Sequence, residues 1–273
     1  MTAATTTADA TLAAPSLPGI GRPTVVGDAI TIAWRNLLNI RRNPQLLVFA
    51  TIQPVIFVLM FRYVFGGAIK VPGVSYVNYL MPGIFVQTVV FGALTTGVGL
   101  AEDLNKGLVD RFRSLPMARS AVLLGRTLAD LFRNVFVVIL MCLVGVAVGW
   151  NPSGSPLAIL AGLGLVLGFA YALSWVFAIV GLSVKDGETA QAASFPILAP
   201  LVFASSAFVP VSSMPSWLQV FAKNQPVSQV VDAVRALTLT GTGGTHLLSA
   251  VLWIAGIIAV CAPLAVARYQ RVT

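Results

Sequence analysis

Residues 134–184 read NVFVVILMCLVGVAVGWNPSGSPLAILAGLGLVLGFAYALSWVFAIVGLSV and contain no charged side chain. A transmembrane helix needs roughly 20 apolar residues, so this run is long enough to cross a bilayer twice. NPSGSP at 151–156 breaks it where a turn belongs, because Pro152 and Pro156 end helices and Gly154 permits a positive φ. Two crossings joined by a short turn is the reading on which the rest of the chain depends.

Working outward, further uncharged runs occupy 43–61, 71–101, 189–222 and 236–267, with His246 neutral. They predict an all-α membrane protein with six spans at 45–66, 77–100, 128–149, 157–182, 191–210 and 246–267. The runs are too long and too continuous for barrel strands, which alternate over about ten residues. Composition agrees: 57% of the 273 residues are hydrophobic and 10% are charged, against about 25% charged in a soluble domain. Mean hydropathy is +0.89.

The net charge of +8 would suggest nucleic acid in a soluble protein, but here its placement decides its meaning. With the N-terminus inside, thirteen of the 17 Lys and Arg residues fall on the cytoplasmic side. Only Arg62, Lys70, Lys223 and Arg235 fall outside or near the outer surface. This positive-inside bias puts both termini in the cytoplasm and the basic residues against lipid head groups, with no nucleic acid as partner. Residues 1–24 are rich in Thr, Ala and Pro and lack the basic-then-apolar order of a signal peptide, so they read as a disordered tail before a single domain at 25–273.

Local patterns refine the expectation. Residues 28–42 read as a helix on the membrane surface: Ile30, Trp34, Leu37 and Leu38 share a face, Arg35 points away, and Arg41 and Arg42 suit anionic head groups. Asn43 and Pro44 then read as cap and first residue of the next helix. Pro54 and Pro82 mark kinks, and the neighbouring Gln53 and Gln87 face other helices. The pairs Gly145/Gly149 and Gly164/Gly168 have the spacing that lets helices approach closely. Arg126, Asp130 and Arg133 share one face at the start of the third span, where Asp130 pairs with its arginines. In 208–245, Pro210, Pro215 and Pro226 punctuate two short amphipathic helices, and Asp232 and Arg235 stand three apart, close enough to pair. Cys142 and Cys261 are buried thiols, and His246 is an interfacial residue.

Several chemistries are absent. The chain contains no Gly-Lys dipeptide, hence no P-loop, and its single histidine gives little support to a His-based metal cluster or a Ser-His-Asp triad. No Asp, Glu or Lys sits in mid-bilayer, which argues against an ion-driven pump. Transport powered by a partner, or passive scaffolding, remains. Against this background the charged interruption at 102–119, EDLNKGLVDRFRSLPMAR, stands out as a surface that something cytoplasmic must touch.

Three stretches carry a resemblance to the permease subunit of type-2 ATP-binding-cassette exporters of the daunorubicin-resistance membrane-protein kind. They are IAWRNLLNIRRNPQLLV (32–48), the Gly107-x3-Arg111-x4-Pro116 order, and MPSWLQVFAKNQPVSQVVDAVRALTLTG (214–241). The resemblance implies a subunit without catalytic residues or metal, embedded in the bacterial cell membrane. It implies two cytoplasmic ATPase subunits that carry the ATP and Mg, and a second permease, identical or paralogous. It implies an outer re-entrant hairpin between spans five and six. It implies that the surface helix (Trp34, Arg35, Arg41, Arg42) and a coupling helix (Glu102, Lys106, Gly107, Arg111, Phe112, Arg113, Leu115, Pro116, Arg119) contact the ATPases. The expected cargo is an amphipathic drug-like or lipid compound moving past Phe57, Gln87, Thr88 and Phe91. A polysaccharide or glycolipid exporter and a non-transport scaffold are the alternatives.

Overall fold

The computed structural model describes residues 27, 30–34, 44–69, 71, 73–107, 119–242 and 244–272. All regular structure among them is helical. In chain order the helices are α1 (Pro44–Leu59), which runs on as a π-helical turn (Met60–Phe65), α2 (Tyr76–Asn105), α3 (Arg119–Ala147), α4 (Pro156–Gly181), α5 (Gly187–Phe203), α6 (Ser216–Asn224), α7 (Pro226–Leu239) and α8 (Gly244–Val272). A single 3-10 turn, Val211–Ser213, precedes α6.

Among the described residues, four stretches are long and apolar enough to cross a membrane: Tyr76–Asn105, Leu123–Ala147, Pro156–Gly181 and Gly244–Arg271. The other two expected spans coincide with α1 and α5, which are 16 and 17 residues long. The π turn brings α1 to roughly 30 Å. The helix α5 stops at Phe203, short of the expected 210, because Pro196 and Pro200 remove amide donors and the chain leaves helical geometry at Ala204.

The turn at 151–156 forms as expected, with one correction. Ser155 caps α4 by accepting the Ala158 N–H, and Pro156 opens the helix. The positive φ belongs to Gly149, not Gly154. Gly154 is needed for space: a Cβ there would lie 2.3 Å from the Leu237 carbonyl oxygen, and its N–H donates to Thr238 O at 2.9 Å. At the start of α5, Asp186 accepts the Thr189 N–H at 2.7 Å, which holds its carboxyl below the ordinary value.

The helix α2 is the axis of the bundle, packing on α1, α3, α4, α5 and α7. The tightest packing is between α2 and α4, where Gly97 and Gly181 face each other. A Cβ on Gly181 would meet Gly97 O at 2.3 Å, and one on Gly97 would meet Phe177 O at 2.5 Å. Three of the four glycines expected to permit close approach do not. Gly164 has open space beside it, Gly168 has nothing nearer than 3.9 Å, and Gly149 lies beyond the end of α3. Gly145 alone is crowded, by the flexible Met81 side chain.

Polar side chains hold the non-helical segment 204–209 inside the bundle. The Tyr79 hydroxyl and the Arg235 guanidinium donate to Ser206 O, the Tyr76 hydroxyl to Phe208 O, and Gln225 to Ala204 O. Arg235 also pairs with Asp232 at 2.7 Å, as its spacing predicts, and lies 3.7 Å over the Tyr79 ring. Without water in a bilayer, irregular backbone needs donors supplied by the protein in this way. The helix α7 buries its Val230, Val231 and Val234 face, while α6 leaves Trp217, Val220 and Phe221 exposed. His246 contacts Gln229 at 3.2 Å, and both cysteines are free thiols, partly rather than fully buried.

Candidate functional site

A cavity of about 490 Å3 opens between α1, α2, α3 and α5. Gln87, Thr88 and Phe91 of α2 line it, with Gln53 of α1, Arg133 and Asn134 of α3, and Gln191 and Phe195 of α5. Thr88 donates its hydroxyl to Ile84 O at 2.7 Å and is satisfied within its own helix. Gln87 Oε1 and Asn134 Nδ2 are buried with no protein partner, an arrangement that costs about 1–3 kcal/mol for each group left without one. The cavity therefore sets the amides of Gln53, Gln87, Asn134 and Gln191 beside the phenyl rings of Phe91 and Phe195.

Arg133, the one cation in its lining among the described residues, is already matched. Arg133 pairs with Asp130 at 3.2 Å and donates to Gly92 O at 2.7 Å and to the Thr95 hydroxyl. Asp130 in turn accepts the Thr96 hydroxyl at 2.6 Å. Arg126 does not join Asp130. It crosses to Asp103, near the end of α2, with Gly99 leaving room for its guanidinium. The shared face read from sequence thus divides into two bolts. One fastens α2 to α3 beside the cavity, and the other fastens them where they flank residues 108–118.

The predicted site residues fall into three groups. Gln87, Thr88 and Phe91 line the cavity, whereas Phe57 packs with Phe61, Phe203 and Phe208 in an aromatic cluster outside the lining. In the charged loop, Lys106 and Glu102 form an exposed pair at 3.0 Å. Gly107 has φ of +65°, the left-handed turn that ends α2. Arg119 lies in the first turn of α3, while Arg111, Phe112, Arg113, Leu115 and Pro116 lie outside the described residues. Trp34 is 62% exposed, as is Ile30 at 59%, while Ile32 and Ala33 pack at the basic end of the bundle. Arg35, Arg41 and Arg42 also lie outside the described residues. Sequence reading missed Asn134, Gln191 and Phe195. A lone amide one residue beyond the last charge of α3 was the available signal.

The ABC-2 type transporter family model matches residues 28–239. This chain belongs to that family. Among curated ABC-2 relatives, it is 34% identical over 251 residues to the daunorubicin resistance ABC transporter permease protein of Streptomyces coeruleorubidus, covering 92% of this chain and 88% of the relative. It is 27% identical over 277 residues to a protein of Mycobacterium tuberculosis named a probable doxorubicin resistance ABC transporter permease, covering 98% of each. A doxorubicin resistance ABC transporter permease protein of the same organism is 30% identical over 196 residues, covering 67% of this chain and 66% of the relative. As an ABC-2 chain built of apolar helices, it is a membrane protein.

Proposed function

We propose that this chain is the membrane subunit of an ATP-driven exporter of amphipathic, drug-like compounds, active only with a separate ATPase. In this reading α1, α2, α3, α4, α5 and α8 are the six spans, and the basic end of the bundle faces the cytosol. The pair α6–α7 dips into the outer leaflet. Two ATPases bearing ATP and Mg grip residues 108–118 and the N-terminal surface helix, and a second permease completes the pathway. The observation that carries the proposal is the cavity beside the Arg133–Asp130 bolt. It combines aromatic walls with unpartnered hydrogen-bonding groups and no unmatched charge, which suits an aromatic cargo with a polar edge. The bolts give the mechanism a physical basis. Movement of 108–118 by closing ATPases pulls on Asp103–Arg126 and, through two rigid helices, on the cavity wall.

The test is ATP-dependent accumulation of doxorubicin in inverted vesicles holding this chain and its ATPase. The double variant Arg111→Glu with Arg113→Glu is expected to abolish both accumulation and co-purification of the ATPase. Unchanged uptake and unchanged co-purification would overturn the coupling assignment.

A further inference from the structure

A second hollow of about 530 Å3 lies on the other side of the molecule, between α3, α4 and α8. Its walls are almost wholly apolar: Leu124 of α3, Tyr171 and Trp175 of α4, and α8 from Ile258 to Gln270. Three observations define what fits. First, twelve residues of α8 separate Ile258 from Gln270, a rise of roughly 18 Å. One leaflet of a ~30 Å hydrocarbon core is about that deep. Second, Trp175 is 2% exposed, stands edge-on to Tyr171, and its Nε1–H has no acceptor. An unpartnered indole N–H at membrane depth has no water to turn to. Third, the groove ends next to positive charge. Arg271 follows the lining residue Ala267 by four positions and so continues its face one turn further. Arg268 follows Leu264 by four, on a face that does not line the groove.

We propose that this groove is a fixed site for one glycerophospholipid. An acyl chain lies along α8, an ester carbonyl accepts the Trp175 N–H, and the phosphate meets Arg271. The vertical order matches the ligand. Val266, which lines the groove with Trp175, stands five residues and about 8 Å below Arg271 along the helix, as a glycerol ester lies below its phosphate. A helix from another protein would have its backbone carbonyls already bonded, leaving only a side-chain acceptor for the Trp175 N–H. The site does not depend on the transport reading, because it requires only that the basic end of α8 lies at a membrane surface.

Native mass spectrometry of the full-length chain, purified in mild detergent, tests it. The wild type is expected to retain one phospholipid per chain and to rebind dioleoylphosphatidylglycerol after delipidation. Trp175→Phe keeps the ring and removes the donor, and is expected to weaken rebinding about fivefold. Arg271→Gln is expected to do the same, while Arg268→Gln leaves rebinding unchanged. If Trp175→Phe loses its helical circular dichroism, the Arg271→Gln and Arg268→Gln pair alone decides. A wild type that neither retains nor rebinds lipid would overturn the proposal, as would equal rebinding by Arg271→Gln and Arg268→Gln. A disulfide between two copies carrying Ala267→Cys, in a Cys142→Ala and Cys261→Ala background, would assign the groove to a second copy instead.

Discussion

Replacing Gly181 with alanine adds one methyl group where α2 and α4 touch through their backbones. Built on the present backbone, that methyl would lie 2.3 Å from Gly97 O and 2.9 Å from Gly97 Cα. An ordinary carbon–oxygen contact is about 3.3 Å or more, so α2 and α4 must separate by about 1 Å. Neither contact is with a flexible side-chain end, so no rotamer change relieves it. The separation loosens the most extensive helix pair in the molecule and is expected to cost about 2 kcal/mol, within the range for overpacked cores. For a chain of this size that corresponds to a melting temperature lower by about 4–8 °C. Thermal unfolding in detergent, read by intrinsic fluorescence or circular dichroism, measures it. Gly164→Ala is the matched control, because the same methyl meets open space there, and it should melt within about 1 °C of the wild type. If both variants melt alike, the α2–α4 packing described above is wrong.

Asp103→Asn leaves Arg126 without a counter-ion in a position about one-fifth exposed. With allowance for that exposure it should cost about 1–2 kcal/mol and reduce transport per ATP hydrolysed, measured in reconstituted vesicles. Asn134→Leu removes a buried donor that has no partner, so stability should hold or rise, while doxorubicin transport falls. A drop in melting temperature without a change in transport would remove Asn134 from the pathway. Arg235→Gln removes the counter-ion of Asp232 and leaves the Ser206 carbonyl with the Tyr79 hydroxyl as its remaining side-chain donor, at a cost of about 3 kcal/mol. Arg235→Lys should not restore stability, because an ammonium group cannot reach acceptors spread around a planar fork.

Much of this architecture was legible in the sequence, for reasons that particular residues make plain. The four helices long and apolar enough to cross a membrane follow from where charge is missing, and a bilayer punishes misplaced charge severely. Helix starts at Pro44 and Pro156 follow from proline chemistry alone. What stayed hidden depends on which way a residue faces. The pattern Gly164-x3-Gly168 has the spacing of a packing seam, yet the seam is built from Gly97 and Gly181, which share no local motif. Similarly, Arg126 and Arg133 are equivalent on a helical wheel. Only the neighbouring helix, with Asp103 at one level and Thr95 at another, gives them different partners. Gln87, Thr88 and Phe91 were legible as inward-facing residues of α2, but Asn134 across the cavity required the third dimension.

The segment 204–209 also constrains how the protein is made. Its carbonyl at Ser206 is held by Arg235, and that at Ala204 by Gln225. Both donors follow α5 in the chain. Until α7 is in place, the Ala204 carbonyl lacks its Gln225 donor and the Ser206 carbonyl has the Tyr79 hydroxyl without Arg235. Insertion of α5 and α7 is therefore a joint event, and a chain halted near residue 215 should be retained by the insertion machinery or degraded. Gln225 and Arg235 thus tie the end of α5 to the arrival of α7.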